Sequence, residues 1–255
     1  MRYENLTYHK KDNVIIINFS ETEKHLSRIV QIAQEIDGIC TAISIDKEIQ
    51  VVIFNWEQEK PLSKKVSVPN DLNCEIDGII PGSWAGSVAK LEKPVIMTIN
   101  GYAIGQALEL SLACDIRIAS KISHFGLPYI DVGIIPWDGG TQRLSRLIGQ
   151  SNAMELILTG EIINADEAYR VGLVNKIIDG KDLLTAVMEM AHKIAEKGPI
   201  ALQYSKEAIY KGMDLTMDQG LRLEADLYFL LHTSRDRTEG IRAFQEKREA
   251  QFKGE

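Results

Sequence analysis

Residues 93–117 read KPVIMTINGYAIGQALELSLACDIR and decide how the chain is organised. Residues 94–99 form a short apolar run that predicts a buried strand. A turn containing two glycines follows and leads into QALELSLA, whose apolar spacing is helical. A strand that enters a glycine turn and then a helix presents free backbone N–H groups at the positive end of the helix. The stretch therefore predicts a turn whose N–H groups can face an anion.

The segments on either side predict an α/β protein. Residues 13–19 (NVIIINF), 49–54 (IQVVIF) and 116–119 are β-branched runs typical of buried strands, and the first two flank a segment with helical apolar spacing. Residues 55–83 are polar and interrupted by prolines, which indicates a long surface loop. Beyond residue 151 the pattern is mainly helical, and no break in composition separates a second domain.

Composition excludes several classes of protein. The 255 residues are 45% apolar and 25% charged, which is ordinary for one large globular domain, and the net charge of −7 argues against a nucleic-acid partner. We expect no membrane span and no signal peptide, because no apolar run is long enough. Cys40, Cys74 and Cys114 lie far apart without metal-ligand spacing. These features predict a cytoplasmic protein without a metal site or a disulfide framework.

Two further segments, together with residues 93–117, resemble the crotonase (enoyl-CoA hydratase/isomerase) superfamily. They are HFGLPYIDVGIIPWDGGTQR at 124–143 and EGIRAFQEKREAQF at 239–252, in the family's order and at its spacing. The resemblance implies a crotonase-like spiral of β-β-α units over residues 1–195. Residues 196–255 would belong to the same structural unit and would form a helical region, and this region would mediate trimerisation. The expected assembly is a homotrimer or a dimer of trimers.

The resemblance implies an oxyanion hole for a thioester carbonyl. One donor would be the backbone N–H of Gln106, in a Gly-Gln-Ala turn where the family carries three glycines. The alternative interpretation is a plain helix-capping turn. Val66 is the best positional candidate for the second donor, although a solvated loop explains its segment equally well. Lys64 and Lys65 could instead contact CoA phosphates.

A single carboxylate, Glu109, lies three residues beyond Gln106 and faces the same side of the helix. Its apolar neighbours make burial without a partner costly, so we favour catalysis over a simple interaction with the helix dipole. The position matches one of the two glutamates of enoyl-CoA hydratases. The other glutamate is replaced by Tyr129, a poor base at its reference pKa near 10.

Two aspartates are candidates to replace the missing carboxylate. If residues 129–131 are extended, Asp131 points to the same face as Tyr129. Asp138 precedes a helix, where it serves either as an N-cap or as a second acid/base group.

The segment at 239–252 resembles the part of the family that contacts CoA from a neighbouring subunit, with Phe244 near the adenine and Lys247 near a phosphate. The resemblance implies hydration of an enoyl-CoA or dienoyl-CoA thioester, with CoA as part of the substrate and no other cofactor. An enoyl-CoA isomerase is the nearest alternative, because moving one proton between carbons needs one carboxylate. A non-catalytic acyl-CoA-binding protein is the alternative from another class.

Overall fold

A computed structural model of the chain describes residues 3–19, 26–58 and 82–255, without the side chains of 26–28. The strands are β1 (Leu6–Lys11), β2 (Val14–Phe19), β3 (Val51–Gln58), β4 (Val95–Ile104), β5 (Ile116–Ser120), β6 (His124–Gly126), β7 (Ile162–Asn164) and β8 (Lys176–Ile178). The helices are α1 (Leu26–Ile45), α2 (Ala85–Val88), α3 (Gln106–Leu112), α4 (Gly140–Ile148), α5 (Gln150–Thr159), α6 (Ala165–Arg170), α7 (Gly180–Ala195), α8 (Pro199–Gly212), α9 (Met217–Leu231) and α10 (Arg235–Glu246). A 3₁₀ helix covers Pro128–Val132.

The central sheet has the strand order β1-β2-β3-β4-β5-β8, and only the β1–β2 pair is antiparallel in this series. Strand β4 is the longest and leaves the main sheet at its far end, where residues 102–104 pair with β6. Strand β6 in turn pairs with β7. The end of β4 therefore lies between two sheets, and the turn into α3 follows directly.

Both faces of the sheet are covered by helices, which explains why the strands read as continuous apolar runs. Alternate residues of β2 point to opposite sides. Ile15 and Ile17 join the large core beneath α1, α2 and α3, whereas Val14 and Ile16 pack against α7 through residues such as Leu183. The large core is the one that contains the buried face of α3.

The sequence predicted the central strands β2 to β5 but missed β1, β6, β7 and β8. Strand β1 carries mostly charged and polar side chains, and only Leu6 is buried, so it lacks the apolar run that predicts a buried strand. Strand β3 continues through Gln58, where a loop was expected. Strand β4 runs through the expected Asn-Gly turn at 100–101, because pairing to β3 and β6 holds it extended.

The helices α8, α9 and α10 form a region with many exposed apolar side chains. Helix α8 is fastened to the sheet by Lys206, whose Nζ donates to Asp115 Oδ2 at 2.8 Å and to the Lys93 carbonyl at 3.0 Å. Several large apolar residues face outward in the single chain, among them Ile209, Met213, Met217, Tyr228, Phe229 and Phe244. Exposed apolar area of this extent is typical of a surface that meets another protein.

Two cysteines, Cys40 and Cys114, are buried free thiols, and desolvation raises the pKa of each to about 12. Cys74 lies outside the described residues. Among the helices of the described ranges, none combines the length and hydrophobicity needed to cross a membrane.

Candidate active site

The turn between β4 and α3 places backbone N–H groups at the edge of the core. Gly105 has φ 64° and ψ −126°, a conformation that side chains disfavour, and its N–H donates to the Gly126 carbonyl of β6 at 2.9 Å. Helix α3 begins at the next residue, Gln106. The first N–H groups of a helix have no partner within that helix, so Gln106 lies where an oxyanion donor is expected.

Glu109 lies one turn into α3 and is completely buried, with 0% of its surface exposed. Its Oε2 accepts a hydrogen bond from the Tyr129 hydroxyl at 2.6 Å. Its Oε1 accepts two backbone N–H groups, from Asp138 at 2.8 Å and from Gly140 at 2.9 Å. The structure therefore brings together two of the predicted site residues, Glu109 and Tyr129.

Glycine at position 140 allows the backbone to approach this carboxylate closely. Gly140 is the first residue of α4, so Glu109 also lies at the positive end of that helix. A Cβ atom at position 140 would lie 2.9 Å from Glu109 Oε1 and 2.7 Å from Pro136 Cβ. The preceding Gly139 has φ 98°, which suits glycine alone. The glycine pair was visible in the sequence, but its relation to Glu109 was not.

Burial has the largest effect on the pKa of Glu109. Burial raises the pKa of this carboxyl, while the hydrogen bonds from Tyr129, Gly140 and Asp138 lower it without cancelling the effect. Burial and the neighbouring Glu109 also raise the pKa of the Tyr129 phenol. The phenol is therefore protonated at neutral pH and donates its hydrogen bond, and Glu109 is the acceptor of the pair.

Tyr129 belongs to the 3₁₀ helix rather than to an extended segment. Pro128 begins that helix, and the Gly133 N–H closes it by donating to the Ile130 carbonyl at 3.0 Å. Tyr129 is 1% exposed, whereas Asp131 is exposed. The expectation that Asp131 shares a face with Tyr129 is wrong, because it assumed the alternation of a strand.

Asp138 contacts the site through its backbone and uses its carboxylate elsewhere. Its Oδ2 accepts the N–H groups of Trp84 at 2.7 Å and Ala85 at 2.9 Å, at the start of α2, and its Oδ1 accepts the Ser83 hydroxyl at 2.5 Å. It does not cap the helix that follows it, because Gly139 occupies that N-cap position. The Asp138 carbonyl accepts from Arg143 Nη1 at 2.8 Å. These contacts favour a positioning function over proton transfer.

An aromatic cluster that the sequence analysis missed lies beside this segment. Trp84 stacks on Phe19 with centroids 6.1 Å apart and lies 6.3 Å from the Trp56 ring. Its indole N–H donates to the Ile29 carbonyl of α1 at 3.0 Å. Because Trp84 also donates its backbone N–H to Asp138, this cluster supports the part of the chain that contacts the site.

The remaining predicted residues lie elsewhere. Lys64, Lys65 and Val66 fall outside the described residues. Phe244 is 85% exposed near the end of α10, and Lys247 follows that helix with a positive φ of 54°. The structure contains one chain, so the contacts of Phe244 and Lys247 with CoA bound to a neighbouring subunit remain a prediction. Within the described ranges, no group of three or more His, Cys, Asp and Glu side chains is arranged to hold a metal ion.

Comparison with known proteins shows which family the chain resembles. A sequence model described as enoyl-CoA hydratase/isomerase matches residues 83–255. A crotonyl-CoA hydratase of Syntrophomonas wolfei is 34% identical over 257 residues, covering 99% of each chain, and a short-chain-enoyl-CoA hydratase of Clostridium acetobutylicum is 34% identical over 253 residues, covering 97% of each.

A solved structure agrees with the sequence relatives. The crystal structure of an enoyl-CoA hydratase from Bacillus anthracis superposes with a TM-score of 0.86 at 36% identity, covering 99% of this chain and 100% of the other. The expected crotonase-like fold, with its helical C-terminal region, is confirmed. The chain belongs to the enoyl-CoA hydratase/isomerase family.

Proposed function

We propose that this protein adds water to the double bond of an α,β-unsaturated or dienoyl-CoA thioester, or removes it in reverse. The observation that carries the proposal is the buried Glu109 carboxylate, held by three donors one helical turn beyond the Gln106 N–H. Relatives with 34% identity over nearly the whole chain carry the names crotonyl-CoA hydratase and short-chain-enoyl-CoA hydratase, which supports this reaction.

In this mechanism the thioester oxygen accepts the Gln106 N–H and becomes more negative as water attacks the β-carbon. Donors placed before the charge develops stabilise it without reorganisation. Val66 remains the proposed second donor. Glu109 takes a proton from the water as its oxygen bonds to the β-carbon. The protonated Glu109 then gives that proton to the α-carbon of the enolate, so that one water molecule is added overall and the carboxylate is restored.

Tyr129 serves as a neutral donor in the proposed reaction. Its raised pKa makes the phenol a poor acid and keeps it protonated, so no phenolate is available as a base. Its hydroxyl instead donates to Glu109 Oε2 at 2.6 Å. The Asp138 carboxylate anchors the segment whose backbone N–H groups, from Asp138 and Gly140, donate to Glu109 Oε1. We therefore propose Glu109 as the one group that exchanges protons with the substrate.

Isomerisation of an enoyl-CoA is the second candidate, because the position of the second family glutamate holds Tyr129. A reaction that moves one proton between carbons uses a single carboxylate and no water. Purified protein should be incubated with crotonyl-CoA and, separately, with a 3-enoyl-CoA. Formation of 3-hydroxybutyryl-CoA supports hydration, and conversion of the 3-enoyl to the 2-enoyl thioester without a hydroxyl product supports isomerisation. Binding without turnover of either would indicate an acyl-CoA-binding protein.

We also propose that the apolar face of α8 to α10 mediates self-association as a homotrimer or a dimer of trimers. Met217 is 77% exposed and Phe244 is 85% exposed in the single chain, which supports coverage by another copy. In that assembly, residues 196–255 form the helical region of the same structural unit as residues 1–195. Phe244 and Lys247 would then contact CoA bound to a neighbour. Lys64 and Lys65 are proposed separately as contacts for CoA phosphates.

The proposed reaction uses no metal and no cofactor beyond the CoA of its substrate. We expect the protein in the cytoplasm. The free thiols of Cys40 and Cys114 are compatible with a reducing compartment.

A further inference from the structure

The side chain of Gln106 connects the oxyanion turn to a distant part of the chain. Its Nε2 donates to the Gly82 carbonyl at 3.0 Å, across 24 residues of sequence. Its own backbone N–H, at the start of α3, is the proposed donor to the thioester oxygen. One residue therefore carries both the donor and an anchor.

The partner of that anchor is fixed in place. The segment 82–85, which contains Gly82, is held on its other side by Asp138, which accepts from Ser83, Trp84 and Ala85. Gly82 itself lies against α1, since a Cβ atom there would be 3.3 Å from Ile29 Cγ2. The Trp84 indole donates to α1 as well. The Gly82 carbonyl therefore belongs to a segment that Asp138 and α1 hold through several contacts.

Hydrogen bonds then link the two halves of the proposed chemistry. Gln106 bonds to the segment 82–85, that segment bonds to the Asp138 carboxylate, and the Asp138 N–H bonds to Glu109 Oε1 at 2.8 Å. This series of contacts fixes the oxyanion donor relative to the base. The relative position of such groups controls the rate, because small displacements of reacting groups are costly.

We propose that the side chain of Gln106 is a positioning group that fixes the direction of its own backbone N–H, an inference that rests on the proposed function. A glycine at position 106 would leave the donor peptide more freedom. The amide bond to Gly82 restricts that freedom, so the donor is already oriented when charge develops on the substrate. A side chain that only filled space would need no donor atom.

The test compares Gln106→Met with the unmodified protein. Methionine keeps the length of the side chain and the backbone N–H but removes the donor to Gly82. The matched control is Gln31→Met on α1, which removes an exposed amide bond to Glu4 Oε2 of 2.8 Å. Gln106→Leu, which also keeps the backbone N–H and removes the side-chain donor without adding a charge, is the second variant in case Gln106→Met does not fold.

Two measurements are made on each protein. The first is kcat and KM for the hydration of crotonyl-CoA. The second is the absorption of bound 4-(dimethylamino)cinnamoyl-CoA, whose band moves to longer wavelength when hydrogen bonds polarise the thioester carbonyl. We expect kcat to fall about tenfold in Gln106→Met, less than the loss of a whole oxyanion donor, with a smaller wavelength shift and KM within about twofold. The control should match the unmodified protein.

The outcomes separate the two proposals. If the unmodified protein hydrates crotonyl-CoA and shifts the probe, and Gln106→Met does both equally well, the positioning role is overturned and the proposed function stands. If the unmodified protein neither hydrates crotonyl-CoA nor shifts the probe, the proposed function fails and the inference fails with it. A fall in kcat with an unchanged probe band also contradicts the inference, because the loss would then not involve the carbonyl.

Discussion

Replacing Tyr129 by Phe removes one oxygen atom and, with it, the 2.6 Å hydrogen bond to Glu109 Oε2. The ring still fills the buried position, because Phe has the same shape apart from the hydroxyl. The two backbone bonds to Oε1 remain. The perturbation therefore isolates one of the three donors that lower the pKa of Glu109.

The expected magnitude follows from the type of bond. A hydrogen bond to a charged group contributes about 1.5–3 kcal/mol, which corresponds to about 1–2 pKa units. Burial already raises the pKa of Glu109 above its usual range, and the loss of Tyr129 as a donor raises it further. If Glu109 must be ionised to act as a base, the acidic limb of kcat/KM should move to higher pH by about 1–2 units.

The assay is the pH dependence of kcat/KM for crotonyl-CoA hydration. We expect Tyr129→Phe to regain activity to within about tenfold of the unmodified protein above the shifted limb. Tyr169→Phe, which removes an exposed phenol on α6, is the control and should leave the profile unchanged. An unshifted limb would refute the coupling of Tyr129 to Glu109. Loss of activity at every pH would refute the neutral-donor role and assign proton transfer to the phenol.

Three further predictions follow from the same contacts. Glu109→Gln should raise the free energy of unfolding at pH 8. The folded-state pKa of Glu109 is raised, so its contribution to stability is fully present below about pH 4.3 and is lost as pH rises through the folded pKa. Glutamine stays neutral and avoids the cost of a buried charge at pH 8. Urea unfolding at pH 8 and pH 5 measures this, and a variant less stable at pH 8 would contradict it. Asp138→Ala should cost about 2–5 kcal/mol of unfolding free energy, because the N–H groups of Trp84 and Ala85 lose their acceptor, while Asp138→Asn should cost less. An alanine variant within about 0.5 kcal/mol of the unmodified protein would rule this out. Truncation before Glu239 should lower both the mass of the assembly, measured by light scattering, and the affinity for CoA thioesters, measured by calorimetry, and an unchanged mass and affinity would contradict the proposed interface.

The sequence predicted the site where local pattern and chemistry coincide. Residues 93–117 place a glycine turn before a helical segment, and Glu109 stands out there as a carboxylate among leucines. That combination predicts both a helix N-terminus and a functional acid, because an unpaired buried carboxylate is costly. The structure places Glu109 with three donors, as such a cost requires.

The sequence did not predict contacts that depend on distant segments. The Asp138 carboxylate caps α2, more than 50 residues earlier in the chain, and no spacing rule links these positions. The bond between Gln106 and Gly82 is hidden for the same reason. Asp131 was misplaced because Pro128 begins a 3₁₀ helix in a segment whose pattern is also compatible with a strand. Contacts between distant segments therefore decided the first two points, and a local 3₁₀ helix decided the third.

The most direct test of the central claim is the hydration of crotonyl-CoA by Glu109→Gln. Glutamine keeps the volume of the side chain and an oxygen acceptor for the N–H groups of Asp138 and Gly140, but it removes the titrating group. We predict that kcat falls about 10²–10⁴-fold, while the dissociation constant for crotonyl-CoA, measured by calorimetry, changes less than about threefold. Full hydratase activity in Glu109→Gln would contradict the assignment of Glu109 as the group that exchanges protons with the substrate.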